Sequence, residues 1–215
     1  MTGANDDDRA RERRAMVREI EADARATASL TGRASFGARV MAAMAKVPRH
    51  RFVPAAWSQS AYQNRPLPID AGQTISQPYI VALMIEAAAL QPTDKVLEVG
   101  AGSGYAAAVM SRIARFVHGI ERHAELGELA RKRMAELGYG NVDIHVGDGS
   151  KGVAEAAPFD AIIVSAGGPS VPPALREQLA IGGRLVIPIG DLRQNQRLVR
   201  VTRLDATRFK EEDLG

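Results

Sequence analysis

The stretch Lys95-Val96-Leu97-Glu98-Val99-Gly100-Ala101-Gly102-Ser103-Gly104-Tyr105 constrains the fold more than any other part of this 215-residue chain. Val96, Leu97 and Val99 make a short apolar run, as a buried parallel strand requires. Glycines at alternate positions follow at once, and the alanine-rich residues 105–114 predict a helix. A strand, a tight glycine turn and a helix start form the unit that lets backbone approach a nucleotide-like ligand. The spacing is G-x-G-x-G. Where a dinucleotide G-x-G-x-x-G needs its third glycine stands Tyr105, which disfavours a nicotinamide dehydrogenase.

The remaining pattern supplies further strands, with polar residues at their carboxyl ends. Phe116–Glu121 predicts a second strand ending in Glu121, roughly 20 residues beyond the glycines, a placement that suits hydrogen bonds to ribose hydroxyls. Residues 124–137 form an amphipathic helix stopped by Gly138. Val142–Val146 reads as a third strand. Asp148 after it can accept from an adenine amino group with Gly149 allowing close approach, or the pair is a simple turn. Residues 159–165 give a fourth strand with the loop Gly167-Gly168-Pro169 beyond it. Residues 173–179 give a short helix, residues 184–189 a fifth strand and residues 198–204 another. Each candidate ligand falls at one edge of a parallel sheet, where open α/β sheets bind.

Upstream, residues 1–29 are charge-dense, with Asp6-Asp7-Asp8 placed for a helix start and Met16, Ile20 and Ala24 at helical spacing. This reads as a solvated helix after a frayed tail rather than a partner-binding arm. Phe36, Val40, Met41, Met44 and Val47 suit one face of a helix ending before Pro48. Nothing in the sequence pairs with His50, so it is read as a structural or surface histidine rather than a catalytic one. Residues 66–69 are extended, and Asp70-Ala71-Gly72 is a turn. A helix then opens near Pro78, with Ser76 well placed as its N-cap.

Gly72-Gln73-Thr74-Ile75-Ser76-Gln77-Pro78-Tyr79 just upstream of E-x-G-x-G-x-G closely resembles the protein-L-isoaspartate O-methyltransferase family, which is class I and S-adenosylmethionine-dependent. Residues 47–54, Ile120-Glu121-Arg122, Val146-Gly147-Asp148-Gly149, residues 157–164 and residues 182–190 resemble further blocks of that family, in order, across residues 43–190. The resemblance implies an α/β, Rossmann-like fold with a mostly parallel central sheet flanked by helices. It implies a helical N-terminal extension over residues 1–60 and the methyltransferase domain over 61–215. The implied reaction transfers a methyl group from S-adenosylmethionine to the free carboxylate of L-isoaspartyl residues in damaged proteins. The ester then collapses to a succinimide without the enzyme. Ser76 is the implied catalytic residue, orienting the acceptor carboxylate, with Thr74 and Ile75 shaping the same wall. Thr74, Ile75, Ser76, Glu98, Gly100, Gly102, Glu121, Asp148 and Gly149 are the implied cofactor-binding residues.

Three departures modify that expectation. Asp70 and Ala71 precede Gly72, and an acid there repels a carboxylate substrate if it faces the site. Residues 165–169 replace a more alanine-rich loop. The chain ends at Glu211-Glu212-Asp213-Leu214-Gly215, where the family continues into an apolar antiparallel strand. Either the sequence is truncated there or the final strand is abbreviated; the exposed edge this would leave points to dimerisation or reduced stability, and a monomer or weak dimer is expected.

Composition narrows the alternatives. The formal charge of +3 is weak for this length, so neither nucleic acid nor an anionic membrane is an expected partner. The absence of cysteine excludes disulfides, thiolate metal sites and a cysteine nucleophile, and no metal ligand set stands out. No run is long and apolar enough for a membrane span and the amino terminus is not a signal, so a cytoplasmic protein is expected. The competing readings are a class I methyltransferase with another carboxylate or small-molecule acceptor, and a non-catalytic homologue retaining cofactor or damaged-protein binding.

Overall fold

The computed structural model describes residues 9–190 and 196–215. The Asp6–Asp8 helix-start expectation lies outside them. In chain order the elements begin with helices α1 (Ala10–Ala26), α2 (Ala28–Thr31) and α3 (Ala38–Lys46), then short strands β1 (Leu67–Pro68) and β2 (Thr74–Ile75). Next come α4 (Pro78–Ala88), β3 (Lys95–Val99), α5 (Tyr105–Met110), β4 (Phe116–Glu121), α6 (Ala124–Glu136) and β5 (Val142–Val146). The chain continues through β6 (Phe159–Val164), α7 (Pro173–Glu177), β7 (Leu179–Ile189), β8 (Arg197–Arg203) and β9 (Phe209–Asp213).

Seven strands make one sheet in the order β5-β4-β3-β6-β7-β8-β9. The first five are parallel, while β8 and β9 add antiparallel. The order reverses at β3, so the connections leaving the carboxyl ends of β3 and β6 run to opposite sides and open a crevice there. The central strands β3 and β6 are largely apolar on both faces because both are covered, whereas edge strand β5 carries polar residues on its outer face. On one face Val96, Val117, Ile144, Ala161 and Ile163 pack under α4, α5 and α6. On the other, Leu97, Ile120, Phe159, Ile162 and Leu185 pack with Leu175 of α7.

Besides α5, which stops at Met110 short of the foreseen residue 114, two elements differ from the sequence expectation. The strand foreseen at residues 184–189 begins at Leu179, because Leu179 pairs with Phe159 across a register shift in β6. Gly182, at φ +80°, supplies the left-handed turn this needs. The second is α1, which is docked rather than solvated: Met16, Ile20 and Ala24 have no exposed surface. Its stripe meets α3 and α4, and the Arg13 guanidinium donates to the Ala45 carbonyl at 2.7 Å. Truncating a side chain buried this way leaves a cavity. Ile20→Ala should therefore lose about 2–4 kcal/mol of unfolding free energy, read from the denaturant midpoint. A loss below about 0.5 kcal/mol would return α1 to a solvated helix.

Candidate active site

Local backbone builds the cleft first. After β3 the chain turns through Gly100, Gly102 and Gly104, at φ of +83°, +52° and +85°. Those left-handed conformations disfavour any residue with a Cβ. At Gly100 a Cβ would also stand 3.2 Å from the Ala166 Cβ, so the turn closes directly against the loop after β6. A cavity of about 980 Å³ opens here, at the carboxyl ends of β3, β4, β5 and β6. Thr74, Ile75, Ser76, Glu98, Gly100, Gly102, Glu121, Asp148 and Gly149 all line it. The sequence-derived set is thus gathered in one place.

The individual roles are more differentiated. Glu121 is buried, and its two carboxylate oxygens accept from the Gly102 and His123 amides, both at 2.9 Å. It braces the glycine turn as well as facing the cleft, and each oxygen keeps further acceptor capacity. Asp148 is exposed, and its Oδ1 accepts from the Ser150 amide at 3.0 Å and the Ser150 hydroxyl at 2.7 Å. These bonds hold its carboxyl below the usual range, so the turn and the cleft-facing acceptor coexist. At Gly149 a Cβ would come within 2.6 Å of Val99 Cγ1, which explains the glycine.

Glu98 is the unusual group. It is 1% exposed, and it accepts from the Ser165 hydroxyl at 2.9 Å on one oxygen only. Among the described residues the other oxygen, Oε2, is buried without a hydrogen-bond partner, although the Ala107 backbone, like Ser165, favours the charged form of the carboxyl. Burial pushes its carboxyl up to about 8 against the Ser165 bond, so it holds a proton at pH 7. A buried carboxyl with one oxygen left open toward a cleft awaits a ligand group, which it meets as an O–H donor while protonated or as an acceptor once a cationic group draws the proton off.

The N-cap expectation for Ser76 fails. Gln77 occupies the cap position of α4 and makes no side-chain cap bond. The Tyr79 amide is instead satisfied by Asn64 Oδ1 at 2.9 Å. Asn64 in turn donates to Asp23 of α1 at 2.7 Å, and the Tyr79 hydroxyl shares a 2.6 Å hydrogen bond with Thr27. The N-terminal helix therefore clamps the start of α4, and the cap comes from twelve residues upstream of Ser76. Ser76 follows β2, whose Ile75 pairs with Leu67 of β1, and its hydroxyl has no hydrogen-bond partner among the described residues. The hydroxyl is left for something outside the chain.

Other expectations resolve through position. Asp70 does not line the cleft; its charge acts on Arg133. Repulsion of a carboxylate substrate by Asp70 is thereby removed. His50 is structural, sharing a 2.8 Å bond with the Tyr62 hydroxyl. Sequence reasoning missed Ser165, the sole hydroxyl on Glu98, although its place just after a strand's carboxyl end was a usable signal. It also missed Gln196, which closes over Gly167 so that any side chain there would collide with it. Only the tertiary fold brings that contact about.

Comparison with known proteins follows the same lines. The family model described as Protein-L-isoaspartate(D-aspartate) O-methyltransferase (PCMT) matches residues 31–214. The protein-L-isoaspartate O-methyltransferase of Protochlamydia amoebophila is 56% identical over 177 residues, covering 82% of this chain and 84% of the relative. That of Rhodopseudomonas palustris is 58% identical over 177 residues, covering 82% and 81%. A solved protein-L-isoaspartate O-methyltransferase superposes with TM-score 0.77 at 29% identity, over 90% of this chain and 60% of that one. A candidate enzyme of the same name from Plasmodium falciparum, solved with S-adenosyl-L-homocysteine, superposes with TM-score 0.75 over 93% of each chain. At 23% identity, the latter speaks for the fold. No helix among the described residues is long and apolar enough to cross a membrane.

Proposed function

The chain belongs to the protein-L-isoaspartate(D-aspartate) O-methyltransferase family, and from that premise we propose that it methylates the free carboxylate of L-isoaspartyl residues in damaged proteins. The methyl donor is S-adenosylmethionine, which when bound supplies an electrophilic methyl group on a sulfonium. The cleft fits such a molecule on three counts. Its volume of about 980 Å³ accommodates a nucleoside with an amino-acid tail, its floor is glycine backbone, and Glu98 offers an unpaired buried acceptor. Glu98, Glu121, Asp148 and the backbone of Gly100, Gly102 and Gly149 would hold it.

The acceptor carboxylate is ionised at pH 7 on its own, so this chain need not supply a base. Its task is to orient that carboxylate and exclude water, which by proximity lowers the barrier by several kcal/mol. Ser76 serves this as a donor: its hydroxyl, without a hydrogen-bond partner among the described residues, bonds one carboxylate oxygen and fixes the direction of the other. Thr74 and Ile75 hold Ser76 in place through the β1–β2 pair, and Asn64 holds the residue pair beyond it.

The observation that carries this reading is the place of Ser76 in the same cleft as the glycine turn, its hydroxyl without a partner among the described residues. The test is transfer of labelled methyl from S-adenosylmethionine to an isoaspartyl peptide, with the matching aspartyl peptide as control. Base-labile label is expected in the isoaspartyl peptide alone. Equal labelling of both peptides, or none despite cofactor binding, would assign the cleft to another acceptor.

A further inference from the structure

Away from the cleft, His118 on β4 and Asp143 and His145 on β5 each place a ligand atom within 4.8 Å of the other two. The parallel register brings this about. His118 stands opposite Asp143 and Ile120 opposite His145, so all three side chains leave the same face of the sheet. None of them lines the cleft. β5 is the edge strand of the sheet, and the Asp143 side chain is 52% exposed, so the cluster is open to solvent ions.

His145 Nε2 is the hub, 3.2 Å from His118 Nδ1 and 3.3 Å from Asp143 Oδ2. A ring nitrogen carries either one proton or one lone pair in the ring plane. As a donor, His145 Nε2 has one proton for two acceptors. As an acceptor from His118, it turns its lone pair toward the Asp143 carboxylate. Neither arrangement satisfies all three atoms, whereas a cation at their centre accepts a lone pair from each. Two ligands bound at about 2.0–2.1 Å to a tetrahedral zinc ion stand about 3.3 Å apart. Both separations through His145 have that length.

We propose that His118, Asp143 and His145 form a binding site for a divalent transition-metal cation of the zinc class, which ties edge strand β5 to β4. Two imidazoles with one carboxylate select such an ion over magnesium or calcium, which take oxygen ligands. Three protein ligands leave a fourth position to water on the exposed side. Glu155 adds negative charge near His118 and Lys95 adds positive charge, so the local field neither creates nor forbids the site.

The experiment is calorimetric titration of the untagged full chain with zinc chloride near pH 7.5, where imidazole is neutral. One equivalent is expected to bind, and zinc in excess should raise the thermal midpoint. Asp143→Asn and His145→Gln alter exposed or part-exposed side chains, so both variants should fold. Each is expected to weaken zinc binding by roughly 10- to 100-fold while leaving methyl transfer unchanged. His123→Gln should leave zinc affinity as it is. Copper(II) in place of zinc should show two imidazole nitrogens by electron paramagnetic resonance. Absence of stoichiometric binding, zinc affinity untouched in both variants, or affinity lost in His123→Gln would each overturn the site. In that event the three side chains are an ordinary hydrogen-bonded network.

Discussion

Ser76→Ala is expected to reduce turnover on an isoaspartyl peptide by about 100-fold, the cost of losing alignment between reacting groups. Cofactor affinity and the thermal midpoint should stay close to those of the unmodified chain. The separation follows from the hydroxyl's surroundings. It caps no helix, since Asn64 satisfies the Tyr79 amide, and it bonds nothing else among the described residues. Removing it therefore deletes no native contact, and only an interaction made with the acceptor is left to lose. Steady-state kinetics together with calorimetry of the cofactor decides the matter. A fall in stability with turnover preserved would mean that Ser76 serves the fold. Equal losses in affinity and turnover would move it to the cofactor side.

Glu98→Gln should act in two opposite directions. In the ligand-free protein the Glu98 carboxyl titrates at about 8, raised by burial, against an unfolded value of 4.5. Between those values the folded state binds the extra proton, so stability declines as pH rises through this window and levels off above about 8. The variant cannot titrate. Its stability relative to the unmodified chain should thus improve from pH 5 to pH 9, by on the order of a few kcal/mol. Cofactor binding should weaken instead, by roughly 10- to 100-fold, since the open Glu98 oxygen no longer meets a cationic or donor group as a charge. Pairing with such a group also drives Glu98 to ionise, so binding at pH 7 should release nearly one proton (about 0.9 on a pKa of about 8). Calorimetry in two buffers of different ionisation enthalpy measures that release. Identical heats in both buffers, or a variant that binds as tightly as the parent, would remove Glu98 from the cofactor site.

Elements whose signals are local could be read from consecutive residues. The apolar run at Val96–Val99, the three left-handed glycines and the helix after them lie within about a dozen residues, and their conformations follow from sterics alone. The bounds of Phe116–Glu121 and Val142–Val146 were legible for a similar reason: the first is largely apolar, and the second alternates apolar Val142, Ile144 and Val146 with polar Asp143 and His145, as a strand covered on one face does. Their carboxyl ends share an edge, so Glu98, Glu121 and Asp148 were legible as cleft residues too. What the tertiary structure alone decided involves partners far apart in the chain. The start of β7 at Leu179 depends on Phe159, and the burial of α1 depends on α3 and α4. Ser76 is released from capping because Asn64, itself held by Asp23 from α1, takes the Tyr79 amide. Glu98 is pushed toward its protonated form because the packed sheet buries it, against the Ser165 bond, and burial belongs to no single stretch of residues. His118 meets Asp143 and His145 only through the register of two parallel strands, separated in sequence by a whole crossover helix. Local sterics and periodicity are written in consecutive residues; desolvation and cross-strand neighbours exist only once the chain has closed on itself.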